Sequence, residues 1–324
     1  NTDNIHLLFD DCGLNGIELL APDINLSEFK FVPINQKQIL YGLGAVKGTG
    51  LSAIEVILKE RKESGHFLSL FDFTSRLDLR KVNRRAVESL IRAGAFDTLH
   101  ENRASLLASV NLAISVAEQT HANVGQNRLF GESDTPKIGL VEMTPWEDKL
   151  KLTEEKAALG FYFSGHPFKY YEKIISGFVS DQLANLSPRE SPYLIAGIIS
   201  AIRIRMTSRG KIAIVTLDDG KARIDVVLGN AVLSENQSLV KEDQLLIVEG
   251  KVSHDDFTGG NRVSAIKVFD LMSIQSSKAA LLTICMNGQA DAAKLKELLT
   301  PYSSGNYDSQ FKKCKVKVEY QNNQ

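Results

Sequence analysis

The chain has 324 residues, of which 43% are hydrophobic and 24% are charged, an ordinary composition for a globular protein of about two to four domains. Its net charge of -1 at pH 7 excludes nucleic-acid binding through overall positive charge, so any such binding must come from local basic patches. The distant cysteines Cys12, Cys285 and Cys314 indicate neither a disulfide framework nor a zinc site, and no apolar run is long enough to span a membrane. These features predict a cytoplasmic protein without membrane contact.

The first 40 residues predict a short helix that stops at Gly13 and a buried strand within residues 16–27, and a second strand is predicted over residues 38–43. A glycine-rich turn that leads into a helix follows in residues 42–61. This turn lacks the third glycine of a dinucleotide-binding loop and the Gly-Lys-Ser/Thr of a P-loop.

The tripeptide Gly48-Thr49-Gly50 opens the helix in the manner of a helix-hairpin-helix turn, with Ser52 in the N-cap region. Such a turn brings backbone N–H groups to a phosphate at a helix N-terminus, and glycine permits the close approach. The alternative is a tight turn without a ligand.

Residues 66–100 contain the most basic stretch of the chain. Asn83 is the predicted N-cap of a helix over residues 84–93, which Gly94 ends. A charge run is usually a solvated helix face, but beside the glycine turn it favours contact with a duplex backbone. The candidate duplex-binding residues are Lys47, Gly48, Gly50, Lys81, Arg84 and Arg85.

An amphipathic helix is predicted over residues 102–124, and a polar stretch follows it over residues 121–139. Within that stretch Leu129 and Phe130 are adjacent, with Gln126 nearby. The pair can anchor in the pocket of a partner, with Gln126 supplying a hydrogen bond, or it can fold back on its own helix. Residues 144–147 (TPWE) predict a capping box that starts the next helix.

Five short β-type runs lie between residues 193 and 271, separated by turn signals and by one helix-sized insert at residues 230–243. This arrangement predicts an OB-fold barrel, which binds single strands on an open sheet face. The candidate single-strand-binding residues are Arg203, Arg205, Arg209 and Lys211 around the first hairpin and Phe257 as a stacking ring. The alternative is a charged hairpin edge that only prevents aggregation.

Residues 279–318 predict a strand, a helix and a second strand. The fold class is therefore multidomain α+β, with a helical helix-hairpin-helix region, a five-stranded OB-fold β-barrel and a partial β-α-β domain at the C-terminal end. Paired carboxylates at residues 10–11, 218–219 and 255–256 have no second carboxylate-bearing strand beside them, so neither a catalytic residue nor a metal site is predicted.

Four motifs in this order resemble the C-terminal part of the bacterial C-family replicative DNA polymerases, and the resemblance covers nearly the whole chain. They are 41-YGLGAVKGTG-50, 81-KVNRRAVESLIRAGAFD-97, 158-ALGFYFSGHPF-168 and 215-VTLDDGKARIDVVL-228.

The resemblance implies the following domains: the end of the fingers domain at residues 1–40, the helix-hairpin-helix and clamp-binding domain at 41–178, the OB-fold domain at 186–274 and the start of a tau-binding domain at 279–324. It implies that Gln126, Leu129 and Phe130 enter the pocket of the β sliding clamp. The implied partners are duplex and single-stranded DNA, the clamp and the clamp-loader tau subunit. The catalytic palm and its Mg²⁺ are expected upstream, so this part should carry no cofactor and should not polymerise alone.

Two other classes of protein remain as alternatives. One is a stand-alone OB-fold protein that binds nucleic acid or acts as a scaffold without a polymerase. The other is a tRNA-charging enzyme whose barrel reads an anticodon, but this enzyme needs an ATP-binding domain whose usual loops are absent from the sequence.

Overall fold

The computed structural model describes residues 5–123, 139–179, 181–208, 210–255, 259–278, 281–287, 292–303 and 315–321. The chain forms two compact units that divide between His166 and Pro167.

The first unit is mainly helical and begins with a small three-stranded sheet of order β1-β3-β2, in which β1 and β3 are parallel and β2 is antiparallel to β3. A 3-10 turn over Leu43–Ala45 connects β3 to the helices. The elements are α1 (Ile5–Leu14), β1 (Glu18–Leu20), β2 (Val32–Asn35), β3 (Gln38–Leu40), α2 (Leu51–Ser64), α3 (Leu70–Arg76), α4 (Arg84–Arg92), α5 (Arg103–Asn123) and α6 (Asp148–Leu159).

One hydrophobic core runs through the first unit from Ile5 to Phe161. At its centre Phe73 lies between Phe67 and Phe96, with ring centroids 4.9 Å and 5.0 Å away in edge-to-face geometry. Such aromatic pairs are favoured beyond the apolar area they bury. Residues before and after position 40 share this core, and the predicted domain boundary at residue 40 stays a prediction.

A buried ion-pair network ties α5 to α6. The Arg103 guanidinium donates two hydrogen bonds to the carboxylate of Asp97, at 2.7 Å and 2.6 Å, and one at 3.0 Å to Glu155. The second carboxylate oxygen of Glu155 accepts from the backbone and hydroxyl of Ser164, both at 2.9 Å. Burial by itself lowers the pKa of Arg103, but the two carboxylates outweigh it and raise the pKa above its usual value.

The second unit is built on a closed five-stranded barrel of order β4-β5-β6-β8-β7, in which only the β6–β8 pair is parallel. Short helices precede and follow the barrel, and one lies between β6 and β7. The elements are α7 (Lys169–Ile175), β4 (Tyr193–Thr207), β5 (Gly210–Asp218), β6 (Arg223–Leu228), α8 (Asn230–Glu235), β7 (Leu245–Asp255), β8 (Gly260–Phe269) and α9 (Leu271–Lys278).

Alternation along the strands fills the barrel interior. On β5 the buried apolar residues are Ala213, Val215 and Leu217, and the residues between them face outward. Gly250 on β7 has no room for a side chain, because a methyl group there would lie 2.5 Å from Val263 on β8. The predicted OB-fold barrel and the predicted helical insert are therefore present.

The last elements form a parallel two-stranded sheet with one helix: β9 (Leu281–Asn287), α10 (Ala292–Ser303) and β10 (Lys315–Gln321). This is the predicted β-α-β piece, so the predicted multidomain α+β fold class is confirmed.

The capping-box prediction is wrong, because α6 begins at Asp148 with Glu147 as N-cap and no capping hydrogen bond from its side chain. Residues 144–147 instead precede the helix without regular secondary structure.

We expect Glu155→Ala to lower the free energy of unfolding of the first unit by about 3 kcal/mol, because it leaves part of a buried arginine uncompensated. Glu155 is 1% exposed, whereas its neighbour Glu154 is 26% exposed and pairs with Arg92 at 2.7 Å. The matched control Glu154→Ala should cost about 1 kcal/mol or less. Urea denaturation followed by the fluorescence of Trp146, the one tryptophan of the chain, measures both variants. Equal costs would contradict the role given to the buried network.

Candidate nucleic-acid interface

The turn that opens α2 has a backbone that requires glycine at two positions. Gly48 has φ of +83° and Gly50 has φ of +76° with ψ of 150°. Thr49 between them is buried, and its hydroxyl donates to the Val46 carbonyl at 2.9 Å. Thr49 therefore fits an inward-facing position, while Lys47, Gly48 and Gly50 remain exposed.

Helix α2 begins directly after this turn. Gly50 is its N-cap and supplies no side-chain hydrogen bond to the first turn of the helix. Ser52, expected in the N-cap region, lies inside the helix. An uncapped helix start presents its first backbone N–H groups and the positive end of the helix dipole, and this is the arrangement that binds phosphate.

Helix α4 lies directly beside the turn. A methyl group added at Gly48 would lie 3.2 Å from the Ser89 hydroxyl oxygen and 3.5 Å from Nε of Arg85. Asn83 caps α4 as predicted, since its side-chain oxygen accepts from the Ala86 N–H at 3.0 Å. The structure therefore brings Arg85 of the basic stretch to the glycine turn.

Lys47 is held on the other side of the turn by the end of α6. Its backbone N–H donates to the Ala158 carbonyl at 2.8 Å. A methyl group added at Gly160, the αL cap of α6, would lie 2.9 Å from Nζ of Lys47. The ammonium thus lies at the C-terminal end of a helix, where the dipole favours a cation.

Most arginines of the basic stretch contact carboxylates of the same unit, and this divides the predicted duplex-binding residues. Arg84 pairs with Glu88, which also pairs with Arg92 at 3.3 Å. Partial burial by itself raises the pKa of Glu88, but the two arginines hold it below its usual value. Within the part of the chain that the structure describes, Lys47, Lys81 and Arg85 form no ion pair. We call Lys47 and Arg85 the turn cations.

The predicted clamp-binding residues Gln126, Leu129 and Phe130 lie outside the described residues. The chain leaves the end of α5 at Asn123 and returns along the same helix. There the N–H of Val141 donates to the Ser109 hydroxyl at 2.8 Å and that of Met143 donates to the Ser105 hydroxyl at 3.0 Å. Both ends of the intervening segment are thus tied to α5.

The barrel separates the predicted single-strand-binding residues. Arg203 pairs with Ile214 and Arg205 with Ile212 in the β4–β5 register, so both arginines share the outer face. Lys211 pairs with Met206 and therefore occupies the opposite face of the hairpin. Arg209 and Phe257 lie outside the described residues.

The outer-face arginines differ in their partners. Arg203 donates to the carboxylate of Asp225 on β6 at 2.6 Å, and the hydroxyl of Thr216 donates to the same carboxylate at 2.7 Å. Among the described residues, Arg205 has no ion pair. Asp225 was not among the predicted site residues, because the charge pattern of the first hairpin does not include it and this acid comes from the next strand.

The described residues contain no group of three or more His, Cys, Asp or Glu side chains placed to hold a metal ion. A search of the same residues found no helix with the length and apolar character needed to cross a membrane.

A glycine turn at an uncapped helix start and a closed five-stranded barrel define a chain with two nucleic-acid-binding modules. Residues 16–106 match the family model of the helix-hairpin-helix motif, and residues 193–271 match that of the OB-fold nucleic acid binding domain.

Relatives extend the match to nearly the whole chain. DNA polymerase III subunit alpha of Neisseria meningitidis serogroup A is 40% identical over 93% of this chain and 27% of its own length. The subunit of Escherichia coli K12 is 37% identical over 94% of this chain and 28% of its own length. Over nearly its whole length the chain is similar to a part of the DNA polymerase III alpha subunits, as the resemblance of its motifs predicted, and it spans about a quarter of the length of these relatives.

We expect Gly50→Ala to destabilise the first unit by about 1–3 kcal/mol, because φ of +76° with ψ of 150° is a region open essentially to glycine alone. Gly50→Asn should give no rescue, since asparagine tolerates the left-handed helical region but not this one. Ser52→Ala is the control and should be nearly neutral, because Ser52 is exposed and is not the cap. Urea denaturation monitored at Trp146 compares the three, and a costly Ser52→Ala would contradict the observed helix start.

Proposed function

We propose that this chain is the DNA-binding and clamp-tethering part of a replicative DNA polymerase. The observation that carries the proposal is the convergence of the glycine turn, the open start of α2 and the turn cations on one exposed surface. The helix-hairpin-helix region holds duplex product by its backbone, and the OB-fold barrel contacts single-stranded template.

Duplex contact follows from the chemistry of the turn. Backbone N–H groups at the start of α2 bind one phosphate, and the turn cations neutralise it and its neighbours. Lys81 and Arg84 lie just before and at the start of α4 and extend the basic surface. None of these groups reads a base edge, so the grip is independent of sequence, as a polymerase needs.

Arg85→Gln should weaken binding to a fluorescent 20-base-pair duplex by about three- to ten-fold at moderate salt, because one phosphate contact is lost. The matched control is Arg80→Gln, which removes the same charge from an exposed arginine that already pairs with Asp78 at 3.1 Å. Anisotropy titration compares the two with the unaltered chain. Equal affinities for Arg85→Gln and the unaltered chain would contradict the proposed duplex surface.

The barrel supports single-strand contact mainly through its outer face. Described residues of β5 and β6 include no aromatic side chain. Base stacking must therefore come from elsewhere, and Phe257 stays the proposed residue for it. Arg205 supplies the charge on this face that attracts the backbone of the strand. Arg209, and Lys211 on the opposite face of the hairpin, stay further proposed contacts.

Clamp tethering is proposed for the segment of residues 124–138, with Gln126, Leu129 and Phe130 as the anchor. Asn123 and Ser109, whose hydroxyl accepts from the N–H of Val141, lie about 21 Å apart along α5. Fifteen residues reach about 50 Å when extended, so this segment has enough length to project its centre away from the helix. Binding DNA and clamp together makes each contact intramolecular and favours processive synthesis.

Leu129→Ala combined with Phe130→Ala should abolish capture of the chain by an immobilised β sliding clamp, because the two apolar side chains proposed to fill the clamp pocket are lost. Duplex affinity should remain within about two-fold of its original value. The control is Glu132→Ala with Ser133→Ala in the same segment, which should leave clamp capture intact. If the Leu129 and Phe130 variant is captured as well as the unaltered chain, these two residues are not the clamp anchor.

The remaining parts of the proposal concern the longer protein. The relatives' name implies DNA-directed DNA polymerase activity, which we assign to a catalytic palm outside this chain with Mg²⁺ as its cofactor. Residues 279–324 are proposed to begin the part that binds the clamp-loader tau subunit. The site of action is proposed to be the cytoplasm.

A further inference from the structure

An acidic side chain lies in the middle of the barrel face that OB-folds use for ligands. Asp225 is opposite Thr216 in the β5–β6 register and opposite Arg262 in the parallel β6–β8 register. Its neighbours along β6, Ile224 and Val226, point into the barrel core. The alternation of the strand therefore directs the Asp225 carboxylate outward.

The partner of Asp225 comes from two strands away. Arg203 belongs to β4 and Asp225 to β6, with β5 between them. Neighbouring strands lie about 4.8 Å apart, so the Arg203 side chain must cross the outer surface of β5 to reach its carboxylate at 2.6 Å. The ion pair consequently lies across the surface where a single strand would run.

We propose that Asp225 competes with nucleic-acid phosphate for Arg203 and thereby keeps the affinity of the barrel for single strands low. This inference rests on the proposed single-strand contact of the barrel. Arg203 is 53% exposed and Asp225 34% exposed, and an ion pair this accessible is weak enough for a phosphate to replace the carboxylate. After replacement the Asp225 charge still faces the phosphate and repels it.

Release of Arg203 would also create a pair of cations. Arg203 and Arg205 are two residues apart on the same face, hence about 6.6 Å apart along β4. Because Arg205 forms no ion pair among the described residues, both guanidinium groups would then be open to adjacent phosphates. A replicative polymerase benefits from this restraint, because template must slide past the barrel at every step.

Asp225→Asn removes the charge and keeps a side-chain oxygen that can accept the hydroxyl of Thr216. We expect this variant of the whole chain to bind a fluorescent oligothymidylate about three- to ten-fold more tightly at low salt. The salt dependence should steepen by about 0.7 in the slope of log affinity against log salt, because one further phosphate is neutralised.

Two variants separate the specific effect from a change in net charge. Glu235→Gln removes one negative charge from the exposed end of α8, and it should change oligothymidylate affinity by less than about two-fold. Arg203→Gln combined with Asp225→Asn restores the charge balance of the original pair, and it should return the affinity to within about two-fold of the unaltered chain.

The outcomes distinguish this inference from the proposed function. If the unaltered chain binds oligothymidylate and Asp225→Asn binds no more tightly, the competition is overturned and the single-strand contact stands. An equal gain from Glu235→Gln also overturns it, since net charge alone would then explain the effect. If neither the unaltered chain nor Asp225→Asn binds, both the competition and the single-strand contact are wrong.

Discussion

The contact of the glycine turn with helix α4 is the constraint on which the proposed DNA-binding surface depends. Gly48 and Gly50 allow a backbone path that starts α2 without a side-chain cap, and the absence of a side chain at Gly48 lets Ser89 and Arg85 of α4 approach. A side chain at Gly48 would require the Ser89 hydroxyl to shift by a few tenths of an ångström and would contact Nε of Arg85. The glycine that opens the turn therefore lies in direct contact with one of the turn cations.

Charge has two different uses in the first unit. Arg76, Arg92 and Arg103 each contact two carboxylates, and these pairs connect helices to one another. The turn cations, by contrast, have no carboxylate partner among the described residues. A chain with net charge of -1 can therefore present a basic surface, because the carboxylates that pair with these three arginines leave the turn cations without an ion pair among the described residues.

On the barrel an acidic residue pairs with a candidate DNA-binding arginine instead of with an arginine that connects helices. On its outer face an acidic residue neutralises one arginine and leaves the next without an ion pair. In the proposed function the first unit holds duplex product, which must stay bound, whereas the barrel only guides the template. The distribution of carboxylates between the two modules fits that difference.

Local patterns in the sequence predicted much of this architecture. The alternation of apolar residues gave the five barrel strands, and Asn83 and Gly94 marked the ends of α4. Two local signals misled, since Ser52 is not a cap and residues 144–147 do not start α6. In both cases the helix begins without a side-chain capping hydrogen bond, at Gly50 for α2 and at Glu147 for α6.

Features that depend on distant residues could not be predicted. Lys47 lies against Gly160, more than a hundred residues later, and Arg203 is neutralised from a different hairpin. Sequence reasoning treated the arginines of the basic stretch as one group. The sequence alone does not indicate which of them have carboxylate partners, because one such partner, Glu154 of Arg92, lies as far away as α6.

The salt dependence of duplex binding tests the central claim most directly. Four phosphate contacts through the turn cations and their neighbours predict that log affinity falls with log salt at a slope of about -3 to -4. The measurement is an anisotropy titration of the whole chain with one duplex at several potassium chloride concentrations. A slope near zero, or no duplex binding at low salt, would contradict a grip on the DNA backbone.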